Sequence, residues 1–388
     1  MTLLRKSADL DLGIVAVADL SAEAWDDLGH RAGPSHPYYG RRVLSAHARA
    51  GLLPHDLRIL TVSEGGRLDA LLPFRLRRDI SGLGGLVARP FLSPYITSTE
   101  PMIVQGEGRE LALSALAAGL RYASGGRAWR WPLLAVDAPN GADLLRALSA
   151  AGWQSGRAMA FERPILDRRA SQEAYLDGHP NRSRFKDLRR RLRRLGEIGR
   201  VEVESATAGP RLRALVEAFL SLERSGWKGE AGTALACTRE TTALAHGLFA
   251  ASDDGPVGAR ADAILLDGRA VAVSLALTGG GVATLLKTTF DESLRQHAPG
   301  LLLEVEIVRL CHETAFADRL DSATLPHSAL EGLYRERQAI AEIVALPPGG
   351  DALSLERRLR LAQFEARGRA TAKRVLARRR PGAAATAR

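Results

Sequence analysis

Apolar and polar positions along the chain alternate between two periods, and the switches between them mark out the elements. Residues 1–20 read as a leading strand. Ser21 suits the N-cap of a short helix over Ala22–His30, because its hydroxyl can accept from an unpaired first-turn amide. Pro34 and Pro37 break that helix, and Tyr38–Ala50 forms a second one that Gly51 ends. LRILTVS and LDALLPFRLR flank Gly65-Gly66, a β-hairpin signal. GLGGLVARPFL lacks the GxGxxG spacing and reads as a loop or bulged strand rather than a phosphate cradle. A helix over Arg109–Ala123, a strand over Ala128–Val136, a helix over Asn140–Ala151 and a strand over Trp153–Glu162 close the first half.

Residues 163–179 read as a linker with a short helix. Asn181–Gly196, NRSRFKDLRRRLRRLG, is a basic helix with Phe185, Leu188, Leu192 and Leu195 on one side. A strand at Val201–Glu204 and an amphipathic helix at Pro210–Ser225 follow, then a Gly-rich loop, SGWKGEAGTA, and a helix over Thr238–Ala250. ADAILLDGRAVAVSLALTGGGVATLLKTTF predicts three strands joined by tight Gly turns. Beyond them lie a helix from Gly300, a short strand at Arg319–Ser322, a short helix around Leu330 and a strand at Ala339–Leu346. A basic helix from about Asp351 to Arg380 ends the chain and frays into PGAAATAR.

The stretch Thr284–Leu310 organises the second half. It reads as a strand ending at Phe290, a polar loop, a Pro-Gly step and a helix. The first turn of a helix leaves N–H groups unpaired, and with the helix dipole they suit a phosphate or pyrophosphate. Arg295, Gln296 and His297 stand just ahead of it. The same pattern also fits a plain strand–loop–helix crossover with no ligand.

LRILTVSEGGRLDALLPFRL in the first half has the layout of ADAILLDGRAVAVSLAL in the second. This weak duplication predicts two α/β units, each with its own mixed sheet splayed near the centre. The units span 1–163 and 170–346, and 351–388 is a basic helical tail.

Charge sharpens the picture. The net charge is +10, but Arg182–Arg194 holds eight basic residues and one acid, and Arg357–Arg388 eleven and one. The remainder carries 35 basic and 42 acidic residues, so the basicity is local. That argues against whole-surface nucleic-acid binding and for two separable patches. Cys237 and Cys311 form no metal-ligand spacing and read as small core residues. The N-terminus lacks a signal-peptide pattern, and no apolar run reaches the length of a membrane span. The expectation is a soluble cytoplasmic protein that its basic patches could bring to the inner membrane face.

Four segments carry a family likeness: NRSRFKDLRRRLRRLG, SGWKGEAGTAL, LLKTTFDESLRQHAPGLLLEVEIV and DSATLPHSALEGLYRERQAI. Over about residues 170–345 the chain resembles GNAT-superfamily N-acetyltransferases, in the tandem-domain branch of CelD-like cellulose-biosynthesis proteins related to FemAB peptidyltransferases. The resemblance implies two GNAT-type α/β folds in tandem, an acetyl-CoA or other acyl-CoA donor, and transfer to an amine or similar nucleophile. It places the donor pyrophosphate on Gln296, His297, Gly300 and Leu301, with Arg295 beside them. Where the superfamily loop reads R/Q-x-x-G-x-G/A, this chain has QHAPGLL.

Amine acylation needs donor positioning, proton removal and stabilisation of an oxyanion, with no covalent enzyme intermediate. The chain has no GxSxG elbow, P-loop or HExxH motif. Lys287, on an apolar strand, suits an anionic acceptor group or the donor phosphate. Asp321 and His327 are candidate general bases. Trp227 and Lys228 suit contact with a sugar or acyl chain. Asp291 and Arg337 are further substrate-binding candidates; Asp291 also suits a plain turn, and Arg337 a surface pair with Glu336. The basic helix could track the phosphates of transfer RNA or an anionic membrane. Two alternatives stay open: a FemAB-type aminoacyl transferase using charged transfer RNA, and a non-catalytic envelope or polysaccharide-biosynthesis binding protein that keeps the fold.

Overall fold

A computed structural model describes residues 2–7, 10–33, 36–250, 255–349 and 352–378. The first half runs β1 (Thr2–Ser7), β2 (Leu10–Val15), α1 (Ala22–Arg31), α2 (Arg41–Arg49), β3 (Arg58–Glu64), β4 (Arg67–Arg78), β5 (Leu86–Pro90), β6 (Met102–Ile103), α3 (Arg109–Ala123), β7 (Trp129–Ala135), α4 (Pro139–Ala150) and β8 (Gln154–Asp167). The second begins with α5 (Gln172–Leu176), α6 (Arg182–Gly196), β9 (Val201–Ala206), α7 (Gly209–Ser225), α8 (Trp227–Glu230), α9 (Arg239–Ala245), β10 (Gly258–Leu266) and β11 (Arg269–Gly279). It ends with β12 (Val282–Phe290), α10 (Pro299–Thr314), β13 (Arg319–Asp321), β14 (Glu336–Leu346) and α11 (Ala352–Arg378).

Both halves follow one path. Antiparallel strands lead to a parallel pair joined by a crossover helix, β5–α3–β7 in the first half and β12–α10–β13 in the second. They do not keep separate sheets, however. One continuous sheet runs β1-β2-β3-β4-β5-β7-β14-β8-β13-β12-β11-β10-β9, with β6 on β4. The expectation of one sheet per half is corrected here. The last strand of each half crosses over: β8 pairs with β13 through Ile165–Asp167, and β14 pairs with β7 through Ile340–Ala345. Between them β8 and β14 run antiparallel over their length. An apolar strand pattern says which faces are buried but not which strand supplies the hydrogen bonds, so the exchange left no mark in the sequence.

The core follows the exchange. Ala341, Ile343 and Ala345 of β14 pack in the first half's core, and Leu166 of β8 packs beneath α10. Val43, Ala46 and Ala50 of the first half cover the other face of the second half's sheet together with α7. Arg42 donates to Val257 O at 2.8 Å and Leu248 O at 3.2 Å, fixing that contact.

Local differences from the sequence reading have simple causes. Residues 163–167 continue β8 rather than opening a linker, because Arg163 is buried against the second half. α10 starts at Pro299, which suits a first helical position where its missing N–H costs nothing. Cys311 is buried, but Cys237 is exposed. The tail is not separable. Leu355 and Leu359 pack with Ala158, Val344 and Ala362, Arg358 donates to Ser81 O at 2.8 Å, and Glu365 sits 2.5 Å from buried Arg130. Asp351 and the terminal PGAAATAR lie outside the described residues.

Candidate functional site

The strongest polar constellation begins at a β-bulge. Pairing of β12 with β11 shifts between Leu275 and Ala276, so Leu286 is extra and the strand turns locally. Lys287 then reaches α7, where its ammonium lies 2.8 Å from Glu223 Oε1. Lys228 Nζ meets the same oxygen at 3.1 Å, and the Leu235 N–H donates to Glu223 Oε2 at 2.8 Å. Glu223 is only 1% exposed, and three donors make its burial tolerable. Burial opposes its charge, but the Leu235 amide and the lysines outweigh it and hold its pKa below the usual value. Burial in turn pulls Lys287 below the usual lysine value, against the pull of Glu223. Trp227 is 57% exposed, its ring centroid is 5.9 Å from Lys228 Nζ, and its backbone N–H donates to Glu292 Oε1 at 2.9 Å.

Thus Lys287, Lys228 and Trp227 come together, around a carboxylate that the sequence reading missed. A signal existed. Leu212, Val216, Phe219 and Glu223 fall on one helical stripe, so an acid occupies an apolar position.

The turn before α10 spans Glu292–His297, followed by Ala298 in the left-handed region. Pro299 has no N–H, and the Leu301 and Leu302 amides donate to Ala298 O at 2.9 and 3.1 Å. Among the described residues, the first turn therefore offers the Gly300 amide but not that of Leu301. A Cβ on Gly300 would meet the Phe290 ring at 3.0 Å, so this glycine serves packing against β12. Arg295 is exposed, Gln296 O accepts from Arg191 at 3.2 Å, and the Gln296 amide lies 3.2 Å from the His297 ring. Asp291 caps the turn through the Ser293 N–H at 3.0 Å and pairs with Arg269 at 2.9 Å.

β12 and β13 pair only over Val282–Thr284 and Arg319–Asp321. At and beyond the point where they part, Thr284 Oγ1, Glu304 Oε2 and Tyr334 Oη are buried without a hydrogen-bond partner. Thr288 donates to the other Glu304 oxygen at 2.7 Å. Burial pushes the Glu304 carboxyl up to about 7. Glu304 and Tyr334 lie on the α10 side of the sheet, whereas Thr284, between Ala283 and Leu285 of the α10-side core and opposite Leu277, faces the α7 side. An unpaired buried polar atom costs free energy wherever it lies.

Asp321 ends β13, buried, 3.5 Å from Arg163 and accepting the Ala323 N–H at 2.8 Å. It lines a cavity of about 320 Å³ between the halves. His327 does not: it is exposed on a turn with φ of 69°, its N–H held by Glu331. Arg337 donates to the carbonyls of Glu331, Tyr334 and Glu336 at 2.9, 2.7 and 2.9 Å and clamps a turn. Glu336 pairs with Arg169 at 2.6 Å, not with Arg337.

Comparison with known proteins agrees with this layout. The family model described as an acetyltransferase (GNAT) domain matches residues 182–323. Residues 182–323 form a GNAT-type domain. Among solved structures, FemX aligns at a TM-score of 0.54 with 12% identity, covering 86% of this chain and 97% of that one. The C-terminal DUF2156 domain of a putative lysylphosphatidylglycerol synthetase from Agrobacterium fabrum aligns at 0.52 with 13% identity, covering 90% and 97%. A tandem GNAT protein from the clavulanic acid biosynthesis pathway aligns at 0.40 with 16% identity, covering 88% and 100%. These likenesses concern the fold. No curated protein matches the chain. The architecture is mixed α/β, with two units of like strand order, the second carrying the GNAT-domain match, and a basic C-terminal helix. Among the described residues, no helix is long and apolar enough to cross a membrane.

Proposed function

We propose that the protein is an acyltransferase that moves an acyl group from an acyl-CoA to an amine where β12 and β13 part. The acceptor is a sugar, a polysaccharide precursor or an amino-acid derivative. One observation carries this reading: the unpartnered Glu304 and Tyr334 atoms on the α10 side of that divergence, Glu304 within the matched residues and Tyr334 just beyond them. The amide arm of a CoA thioester has the donors and acceptors these atoms lack. The donor phosphates would use the Gly300 amide with Arg295 and His297. Lys287, set by Glu223, anchors an anionic group. In the reaction the amine attacks the thioester carbonyl, the C–N bond forms, the C–S bond breaks, and the amine's proton leaves through a base. Asp321 stands nearer such a role than exposed His327.

A second reading, aminoacyl transfer from charged transfer RNA, has its own support. Arg182, Lys186, Arg189 and Arg193 stand at helical spacing along one exposed flank of α6. That stripe suits a polyanion, whether transfer RNA or an anionic membrane, while α10 supplies little amide for a pyrophosphate. Calorimetric titration of acetyl-CoA, longer acyl-CoAs and charged transfer RNA separates the readings. Acyl-CoA binding that weakens in Tyr334→Phe supports the first. Binding of transfer RNA alone, lost when the four stripe residues become Gln, replaces it with the second.

A further inference from the structure

The cavity between the halves holds a charge arrangement that acyl-donor binding does not use. Its wall takes His36 and Glu100 from the first half, Asp318 and Asp321 from the second, and Asp167 and Arg319 from the exchanged β8 and from β13. Most of the carboxylates have a guanidinium partner. Asp167 pairs with Arg319 at 2.6 Å, Asp318 with Arg168 at 2.8 Å, and Asp321 with Arg163 at 3.5 Å.

Glu100 differs. It is 5% exposed, its Oε1 has no hydrogen-bond partner, and His36 Nε2 lies 3.8 Å from its Oε2. His36 cannot serve as its counter-ion. Its Nδ1 accepts the Tyr38 N–H at 3.2 Å, so the ring hydrogen sits on Nε2, 3.0 Å from the Glu100 carbonyl oxygen. Burial pushes the His36 pKa down to about 4, so the ring is neutral. Around Glu100, Asp321 and Asp137 repel its charge while Arg163 and Arg319 attract it. Burial is the largest influence, Asp321 the next, and together they push the carboxyl up to about 8.

We propose that this cavity binds a primary ammonium group, held by Glu100 with Asp321 behind it and Asp318 at the rim. A neutral donor would satisfy Oε1 but leave an ionised Glu100 without a counter-charge. A single positive charge meets both needs. Ala138, Pro139 and Val282 line the same space and suit a few methylene groups beside the ammonium. Calling this amine the acyl acceptor rests on the acyl-transfer reading; the site itself does not.

The site has a proton signature. Empty, near neutral pH, Glu100 carries its proton. An entering ammonium keeps its own three hydrogens and ionises the carboxyl, so a proton passes to the buffer. The test titrates propylamine, ethanolamine and, as the neutral control, propanol into the full chain by calorimetry. Buffers of differing ionisation heat report the proton count. The amines bind with proton release, and propanol does not. Glu100→Gln removes the proton release and weakens the amines about tenfold or more. Arg239→Gln, exposed at the start of α9, leaves both unchanged. Because Glu100→Gln sits in a buried place, a pH series on the parent gives an independent reading: amine affinity rises as pH rises toward 8. Absence of amine binding, binding with no proton release, or undiminished binding in folded Glu100→Gln overturns the proposal. If amines bind in this way but no acyl group is transferred, the acyl-transfer reading falls alone. If transfer proceeds with unchanged KM for the amine in Glu100→Gln, the bound amine is not the acyl acceptor, and direct amine binding with proton release alone decides the site.

Discussion

The two halves place a parallel strand pair and its crossover helix at equivalent points, and fill them differently. In the first half β5 and β7 meet at a single pair, Ala88 with Trp129. Trp129 and Trp131 stack there with ring centroids 4.8 Å apart, both fully buried. Trp129 Nε1 donates to Leu120 O at 2.9 Å and Trp131 Nε1 to Thr99 O at 3.1 Å. Arg109, in the first turn of α3, lies 2.6 Å from Asp143 and 2.9 Å from Asn140, which closes that helix end with the protein's own groups. In the second half the corresponding region holds Glu304 and Tyr334 with unpartnered atoms on the α10 side and Thr284 on the other, and β12 carries Lys287 into a buried ion cluster. At this point the first unit is closed by its own groups and serves as scaffold. The second keeps polar atoms there that the protein itself leaves unpartnered. A fold repeated in tandem thus separates stability from chemistry, because a site must carry features that a core would eliminate.

The comparison can be broken most severely by removing the scaffold. Residues 170–346 expressed alone lack β7 and β8, so β13 loses its antiparallel neighbour and β14 both of its neighbours. Circular dichroism melts of this fragment should show no cooperative transition; a sharp one would mean that the second unit folds by itself.

Trp131→Ala should cost about 3–5 kcal/mol, the usual penalty for emptying a large aromatic from a core. Thr284→Val in the other half removes an unpartnered hydroxyl with little change in shape. It should be neutral or stabilise by about 1 kcal/mol. Urea unfolding of both variants measures the contrast, which disappears if Thr284→Val is as damaging as Trp131→Ala.

Glu100 gives the stability curve a definite slope. Its pKa is about 8 folded against the ordinary 4.5, so the folded state holds the extra proton between those values. Stability is therefore full at the acid side of this window and falls as pH rises through it. Glu100→Gln should flatten the fall. An unchanged slope would show that another group is responsible.

Lys287→Met leaves Glu223 with Lys228 and the Leu235 amide, and should cost about 1–3 kcal/mol at neutral pH. Glu223 titrates below its usual range, so its contribution is present above that range and lost as pH falls through the folded value. In Lys287→Met that acid-side loss should begin at higher pH in thermal melts. Gly300→Ala should have the smallest effect, about 1 kcal/mol or less, since its Cβ presses on a phenylalanine ring that can shift. Weakened acyl-CoA binding without this stability loss would mean that the added Cβ crowds a ligand at the Gly300 amide.

Much of the fold was legible in the chain. Hairpins at Gly65-Gly66 and Gly268, the stripe on α7 and the Pro-Gly step before α10 are local signals, set by φ preference and apolar period. The basic residues of α6 and the position of Lys287 on a strand were readable for the same reason. The site was legible only in part. Lys287, Lys228 and Trp227 do meet, but Glu223 draws them together across 64 residues from Lys287. Glu100 and Asp321 share a cavity because β8 and β14 change partners, which brings the first half's loop against the second half's strand. The sequence by itself determined which segments become strands and helices and which of their faces are buried, since both depend on neighbours a few residues away. Tertiary structure alone decided which strands pair, which charges are neutralised and which buried atoms go without a partner. Hydrogen-bond partners and desolvation are set by residues distant in the chain, and a period along the sequence carries no record of them.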